Sequence, residues 1–494
     1  MSTPWDAAKG GLVAGAVFAS LEASLALYMP IALDPSPTPL VLVASVAGTA
    51  VLIALLAWLA SAINARSAVG IALALWAAAW GPHNARLAGW HRVGWAPSVV
   101  IAGTALVAPS LGVVLGVLGG ASAGLFRSRG GPEGLQPIRR EAGNRDAQPD
   151  IVLVTVDAVR ADSSLMHEGQ WRADSPFSPT QGWTHYTDAV SAAPWSLPSV
   201  HSLLSGLPVN EHGGGLDLGD SFSRRVPDAV PWPYRLQQAG YETRALVSNP
   251  YLSIEQGFAD GFDRWSHSAD VAEPILLLDV YNRVMSWATG KPRDIDLERN
   301  QRLVRAAEVL LETPSTRPRF LWIHLTPRRA HIDGGALDNT AYEERLQQTR
   351  LLIARINRAS SGAMMAVVGT HGEAHGENGR WGEGAALGDP ELSVPMAIRR
   401  PGTQGGVVRR TVATADLART LLAAGADARH YPGQHLMQPR NKPVEVGGTR
   451  TSDHRFAART TSGHYIEREV GVVGPGVKAS DRTEENLRLS GYLD

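Results

Sequence analysis

The sequence predicts an α/β fold, a mostly parallel sheet flanked by helices, preceded by an N-terminal helical transmembrane bundle. Three observations predict it: four apolar runs within residues 1–126, alternating strand-like and helix-like segments from residue 150 onward, and two strand-like segments, 151–156 and 363–369, that each end on polar, chemically able side chains. Parallel strands of an open α/β sheet present their C-terminal ends to one crevice. Asp157, past the first strand, and Thr370-His371-Gly372-Glu373, past the second, can therefore meet in one site although they are far apart in the chain.

The apolar runs are 11–33, 39–64, 67–81 and 96–126, and Glu22 is their only charge. The first, second and fourth are long enough for a bilayer, which takes ~20 residues; the third is shorter. Trp58, Trp76, Trp80, Trp90 and Trp95 lie near the ends of the runs, where an indole suits the headgroup level. A succession of runs, in place of one apolar core and a small-residue site, argues against a cleaved signal peptide. With four spans and an inside N-terminus, Lys9, Arg66, Arg127 and Arg129 are cytoplasmic and Arg86 and Arg92 are outside. That count leaves the large domain in the cytoplasm, and an odd number of spans reverses it.

Residues 127–149 carry Gly, Pro and five arginines without apolar periodicity and read as a basic linker whose charge suits lipid headgroups. The 494-residue chain has a net charge of −1, which gives no reason to expect a nucleic-acid partner. It has no cysteine, which excludes disulfides and thiolate metal sites.

From residue 150 the expected order is strand 151–156, a helix after Pro198, helix 233–240, strand 243–248, a helix near 298–313, strand 320–326, helix 341–357, strands 363–369 and 394–398, and helix 412–424. Helices on both faces of a mostly parallel sheet are the architecture this alternation favours. The domain reading is 1–126 transmembrane, 127–149 linker, 150–430 an α/β catalytic-type domain, and 431–494 a terminal subdomain of the same fold with antiparallel strands.

In Ala193-Pro194-Trp195-Ser196-Leu197-Pro198-Ser199, a serine stands two residues before a proline that can open a helix. That places Ser196 at a helix N-terminus, where free N–H groups and the dipole favour an anion and an attacking oxygen. A carboxylate (Asp157), hydroxyls (Ser196, Thr370) and an imidazole (His371) at strand ends suit one divalent cation such as Ca, Mg, Mn or Zn. Asn249 comes just after a strand and falls at the same edge, or simply turns the chain before Pro250. Arg328 and Arg329 are candidates for an anionic substrate, with solvated surface charge as the plainer alternative. Glu373 is placed to orient His371, or equally to face solvent. His371 and His375 are four apart, but Gly372 and Gly376 favour a loop over a zinc-binding helix.

Read together, PDIVLVTVDAVRAD, AAPWSLPSVHSLLSG with LPVNEHG, QQAGYETRALVSNPYL, GFADGFDRW, FLWIHLTP, VVGTHGEAHGENG and VPMAIRRPG resemble, in order, the sulfatase family of the alkaline-phosphatase-like superfamily over residues 150 to 430. The resemblance implies a metal-dependent hydrolase or transferase of sulfate or phosphate esters, with Ser196 as nucleophile and Asp157, Ser196, His371 and the residue at 370 on the cation. It also implies an extracytoplasmic, membrane-attached domain, with membrane lipids as neighbours and an envelope lipid or glycan as substrate.

Four positions depart from that pattern. Thr370 stands where the family has aspartate, and a threonine hydroxyl is a poor ligand for a hard cation. Val200 replaces an arginine, with His201 one residue late as a candidate for binding substrate, and with serine at 196 no formylglycine is expected. Thr326 and Arg328 replace the aspartate and histidine of an Asp-Pro-His segment, and His331 substitutes only if its loop folds back. Two functions stay open: a membrane-anchored phosphotransferase or hydrolase, and a degenerate relative with a binding or scaffolding role.

Overall fold

Ile151–Val156 is the centre of the structure, and all six of its side chains are buried, the reason it reads as an unbroken apolar run. The chain is seen here as a computed structural model that describes residues 148–163, 165, 175–219, 221–268, 295–327, 339–436, 438, 440, 442–450, 454–468 and 474–477. The four apolar runs and nearly all of the linker lie outside the described residues. Among the described residues, no helix is long and apolar enough to cross a membrane.

Eight strands build the main sheet: β1 (Ile151–Val156), β2 (Trp183–Val190), β3 (Glu242–Val247), β4 (Arg264–His267), β5 (Arg319–Leu325), β6 (Met364–Gly369), β7 (Ser393–Arg399) and β8 (Gly406–Ala413). Their order is β8-β2-β7-β6-β1-β5-β3-β4. Strand β7 runs antiparallel to β2 and β6, and the other pairings are parallel. The expected mostly parallel α/β sheet is what forms.

Helices α1 (Ser196–Ser205), α2 (Pro233–Gln238), α3 (Ile295–Glu312), α4 (Asn339–Ala359) and α5 (Asp416–Gly425) flank it. Strand side chains alternate between faces. Ile151 and Leu153 join Leu197 and Leu203 of α1, Leu236 of α2 and Leu421 of α5 in one core. Val152 and Val154 are buried as well and point to the opposite face, where α3 packs on β5 and on α4.

Two sequence expectations change. The helix expected over 412–424 starts at Asp416, because the β-branched run Val407-Val408 and Thr411-Val412 extends as β8 beside β2. Trp183–Val190, unassigned from sequence, is a strand between β8 and β7. Beyond them, β9 (Val444–Gly447), β10 (Phe456–Arg459) and β11 (Tyr465–Arg468) form an antiparallel sheet.

Candidate active site

The parallel register pairs Val156 with Gly369, so the residues leaving β1 and β6 emerge side by side. Asp157 is the first residue past β1, and its neighbour Ala158 takes a left-handed conformation at φ 52°, which costs an L-residue about 1–2 kcal/mol. Surrounding bonds hold it there: Val159 N–H donates to His371 O at 2.8 Å, and Tyr342 Oη–H donates to Ala158 O at 3.1 Å. Gly372 is next to His371, and a Cβ there would lie 2.2 Å from Pro390 O. Ser196 opens α1 behind an extended Trp195 that supplies no side-chain cap, so the first N–H groups of the helix keep their capacity for an anion.

These elements bring Asp157, Ser196, Asn249, Thr370 and His371 together, all nearly fully buried. Asn249 Nδ2 donates to Asp157 Oδ2 at 2.6 Å and to Ser196 Oγ at 3.1 Å. Its amide cannot turn round without loss, because Oδ1 accepts Tyr251 N–H at 2.9 Å. Thr370 Oγ1 donates to Asp157 Oδ1 at 2.5 Å. Ser196 Oγ lies 3.2 Å from both Asp157 Oδ2 and His371 Nε2. His371 Nδ1 faces Gly372 O at 2.8 Å. A carbonyl only accepts, so Nδ1 carries a hydrogen, and Nε2 is the ring nitrogen turned to Ser196.

A residue not anticipated from sequence completes the cluster. His324, on β5 beside Thr155 in register, places Nε2 3.0 Å from Asp157 Oδ2. Trp322 Nε1–H donates to Thr155 Oγ1 at 2.9 Å, and Thr155 Oγ1 is 2.8 Å from His324 Nδ1. A carboxylate only accepts, so His324 Nε2 carries a hydrogen directed at Asp157.

Burial alone would raise the Asp157 carboxyl, but His324, with His371 and Thr370, outweighs it and holds the group well below the usual carboxylate range. Four N–H or O–H donors favour the charged form whatever the charge on His324.

The donors do not suit the divalent cation implied by the resemblance. Oδ2 of Asp157 already faces Asn249, His324 and Ser196, and Oδ1 faces Thr370. An amide NH₂ fills the space between Asp157 and Ser196 where an ion would bridge them. Among the described residues, no three His, Asp or Glu are grouped to hold a metal.

His201 stands apart from the cluster. Five residues along α1 is about 140° round the helix from Ser196, and its ring stacks on Phe258 at 4.1 Å. Burial first, then His212, Arg225 and Arg224, push its pKa well down, so it offers no charge to an anion. Arg328, Arg329 and His331 lie outside the described residues. Residues 370–373 are irregular, as expected, but Glu373 approaches His375 Nε2 at 3.3 Å rather than orienting His371.

Two more groups escape a reading of the sequence. Glu383 Oε2 is 3.4 Å from His371 Nε2, and the guanidinium of Arg450 stands 4.9 Å over the Trp195 ring and 5.9 Å from that of Tyr251. Its stem crosses Gly384, where a Cβ would come within 2.8 Å of Arg450. Its ion pair with Asp217 is long, at 3.8 Å.

Glu391 braces the loop that carries Glu383, accepting Ala386 N–H at 3.1 Å and 3.3 Å on its two oxygens. Burial pushes its carboxyl up to about 7. A raised carboxyl binds its proton more tightly in the folded chain. The resulting stabilisation is full below the unfolded value of ~4.3 and is lost as pH rises through the folded one. Glu391→Gln is expected to flatten the fall in urea midpoint between about pH 5 and pH 8; an unchanged slope would show that Glu391 does not cause it.

No family model matches the chain, and no curated protein matches it. Among solved structures, a putative sulfatase from Bacteroides thetaiotaomicron is 13% identical, covering 64% of this chain and 82% of its own, with a TM-score of 0.48. The phosphonate monoester hydrolase of Agrobacterium radiobacter is 14% identical over 65% of this chain and 89% of its own, at 0.43. The lipoteichoic acid synthase LtaP from Listeria monocytogenes is 10% identical over 72% and 93%, at 0.42. At these values the likenesses concern the chain trace and assign no residue a role here.

Proposed function

We propose that the α/β domain is a hydrolase or transferase of phosphate or sulfate esters in which Ser196 attacks and His371 receives its proton. The observation that carries this reading is Ser196 Oγ at 3.2 Å from His371 Nε2, at a helix N-terminus, with the imidazole oriented by a third group. In the first step Ser196 Oγ bonds to phosphorus or sulfur, the bond to the alcohol oxygen breaks, and the serine proton passes through His371 to the leaving alkoxide. Water or an acceptor hydroxyl then displaces Ser196, giving its proton to His371, which returns it to the serine oxygen. Charge on the transferred group meets the N–H groups of α1 and the guanidinium of Arg450.

Attached to the apolar runs that precede it, such a domain would work at a bilayer on an ester of an envelope lipid or glycan. Acid-quenched full-length protein, incubated with an aryl phosphate or an aryl sulfate, is expected to carry a phosphoryl or sulfuryl adduct on the Ser196 peptide by mass spectrometry. Turnover with an adduct elsewhere, or none with either ester, would refute the assignment. Thr370 in the place of an aspartate favours a second reading, a chain that has kept the cluster for binding or scaffolding, and absence of any turnover would favour it.

A further inference from the structure

We infer that the site operates without a divalent cation, because hydrogen-bond donors of the chain itself stand where the ion would be. The inference rests on the reading of Ser196 as nucleophile.

A cation in such a site has three tasks: to compensate the buried carboxylate, to favour the serine alkoxide, and to offset charge on the ester. Each has a holder here. Asp157 is compensated by Asn249 Nδ2 at 2.6 Å, Thr370 Oγ1 at 2.5 Å and His324 Nε2 at 3.0 Å. All three donors are fixed from behind. The Asn249 amide is set by Tyr251 N–H, and His324 is set by Thr155, which in turn accepts from Trp322. The Thr370 backbone is held by its N–H to Val156 O at 2.9 Å and by Ser191 Oγ donating to its carbonyl at 2.5 Å.

The serine proton has a base in His371, whose orientation does not depend on an ion. The ester meets the start of α1, and Arg450 is anchored on two aromatic rings and a glycine at residues beside Ser196, Asn249 and Glu383. A cation bonded at ~2.0–2.6 Å to both Asp157 and Ser196 would lie against the hydrogens of the Asn249 amide. Admitting it would break the bonds of Asn249 to both residues and leave Thr370 turned from its acceptor. Glu383 does not restore a ligand set: it lies against His371 Nε2, and no group of three acids and imidazoles able to hold a metal is present among the described residues.

The test uses the full chain. Purified protein is analysed for metal, and its Tm is measured with EDTA and with millimolar Mg, Mn, Ca or Zn, beside Thr370→Asp, which restores a second carboxylate. The expected result is no stoichiometric metal in the parent, a Tm within about 1 °C under every condition, and a metal-dependent rise of roughly 5 °C in the variant at a hundredfold excess over its Kd. One equivalent of metal in the parent, with Tm falling on its removal, would overturn the inference even if the variant failed to fold. The two readings fail separately. A metal-free parent that never forms a Ser196 adduct overturns the nucleophile and leaves the site cation-free, whereas an adduct that requires added metal keeps the nucleophile and overturns this inference.

Discussion

Ser196→Ala is expected to lower kcat by about ten-thousandfold or more on any ester the parent turns over, because it removes the atom that forms the covalent bond. His371→Ala should cost nearly as much, and the double variant little more than either single one, since nucleophile and base act as a unit. Stability should fall only modestly in Ser196→Ala, by about 1–3 kcal/mol, as the Asn249 amide and His371 Nε2 each lose a buried partner. Single-turnover kinetics on the purified variants decides the matter. A loss of less than about tenfold in either single variant, or losses that multiply in the double, would mean that the chemistry proceeds elsewhere.

Asp157→Ala is expected to destabilise the fold by about 3–5 kcal/mol, the usual cost of removing one member from a buried charged network. Its carboxylate is the common acceptor for Asn249, His324, Thr370 and Ser196, and of these donors Ser196 has an alternative at the same distance in His371 Nε2. The pH dependence has a definite sign. The folded carboxyl is held below its ordinary value, so its contribution is present above ~3.9 and drains away as pH falls toward the folded value. The gap in urea midpoint between parent and variant should therefore be wide at neutral pH and narrow in acid. A gap that stays constant down to about pH 3 would show that the charge on Asp157 contributes nothing.

Much of this arrangement is legible without coordinates, for a reason that belongs to parallel sheets. Strands buried on both faces show as apolar runs, and the residues just past their C-terminal ends are gathered at one rim. Asp157, Asn249, Thr370 and His371 are readable as neighbours on that ground, and Ser196 because a proline two residues on marks a helix start. His324 is not, since it sits inside the strand Phe320-Leu321-Trp322-Ile323-His324, where an isolated polar residue looks like an interior exception. The signal lies in its partner across the sheet, Thr155, which is equally out of place in an apolar strand.

Glu383 and Arg450 arrive through Gly-rich segments without periodicity, and nothing local marks their approach to the Ser196 loop. His201 misleads because its proximity in sequence to Ser196 takes no account of the turn of the helix. Strands β2 and β8 escape for a similar reason: polar and charged residues interrupt both, as sheet margins allow.

The hydroxyl of Thr155 meets both the indole N–H of Trp322 and Nδ1 of His324, and so ties the imidazole to the indole. Of the two imidazoles that face Asp157, this one is thereby held in place from within the sheet and serves as a strut, while its counterpart on the loop turns Nε2 to Ser196 and Glu383. The placing of that strut reaches back to a tryptophan whose single N–H goes to Thr155 and not to Ser196 or Asp157.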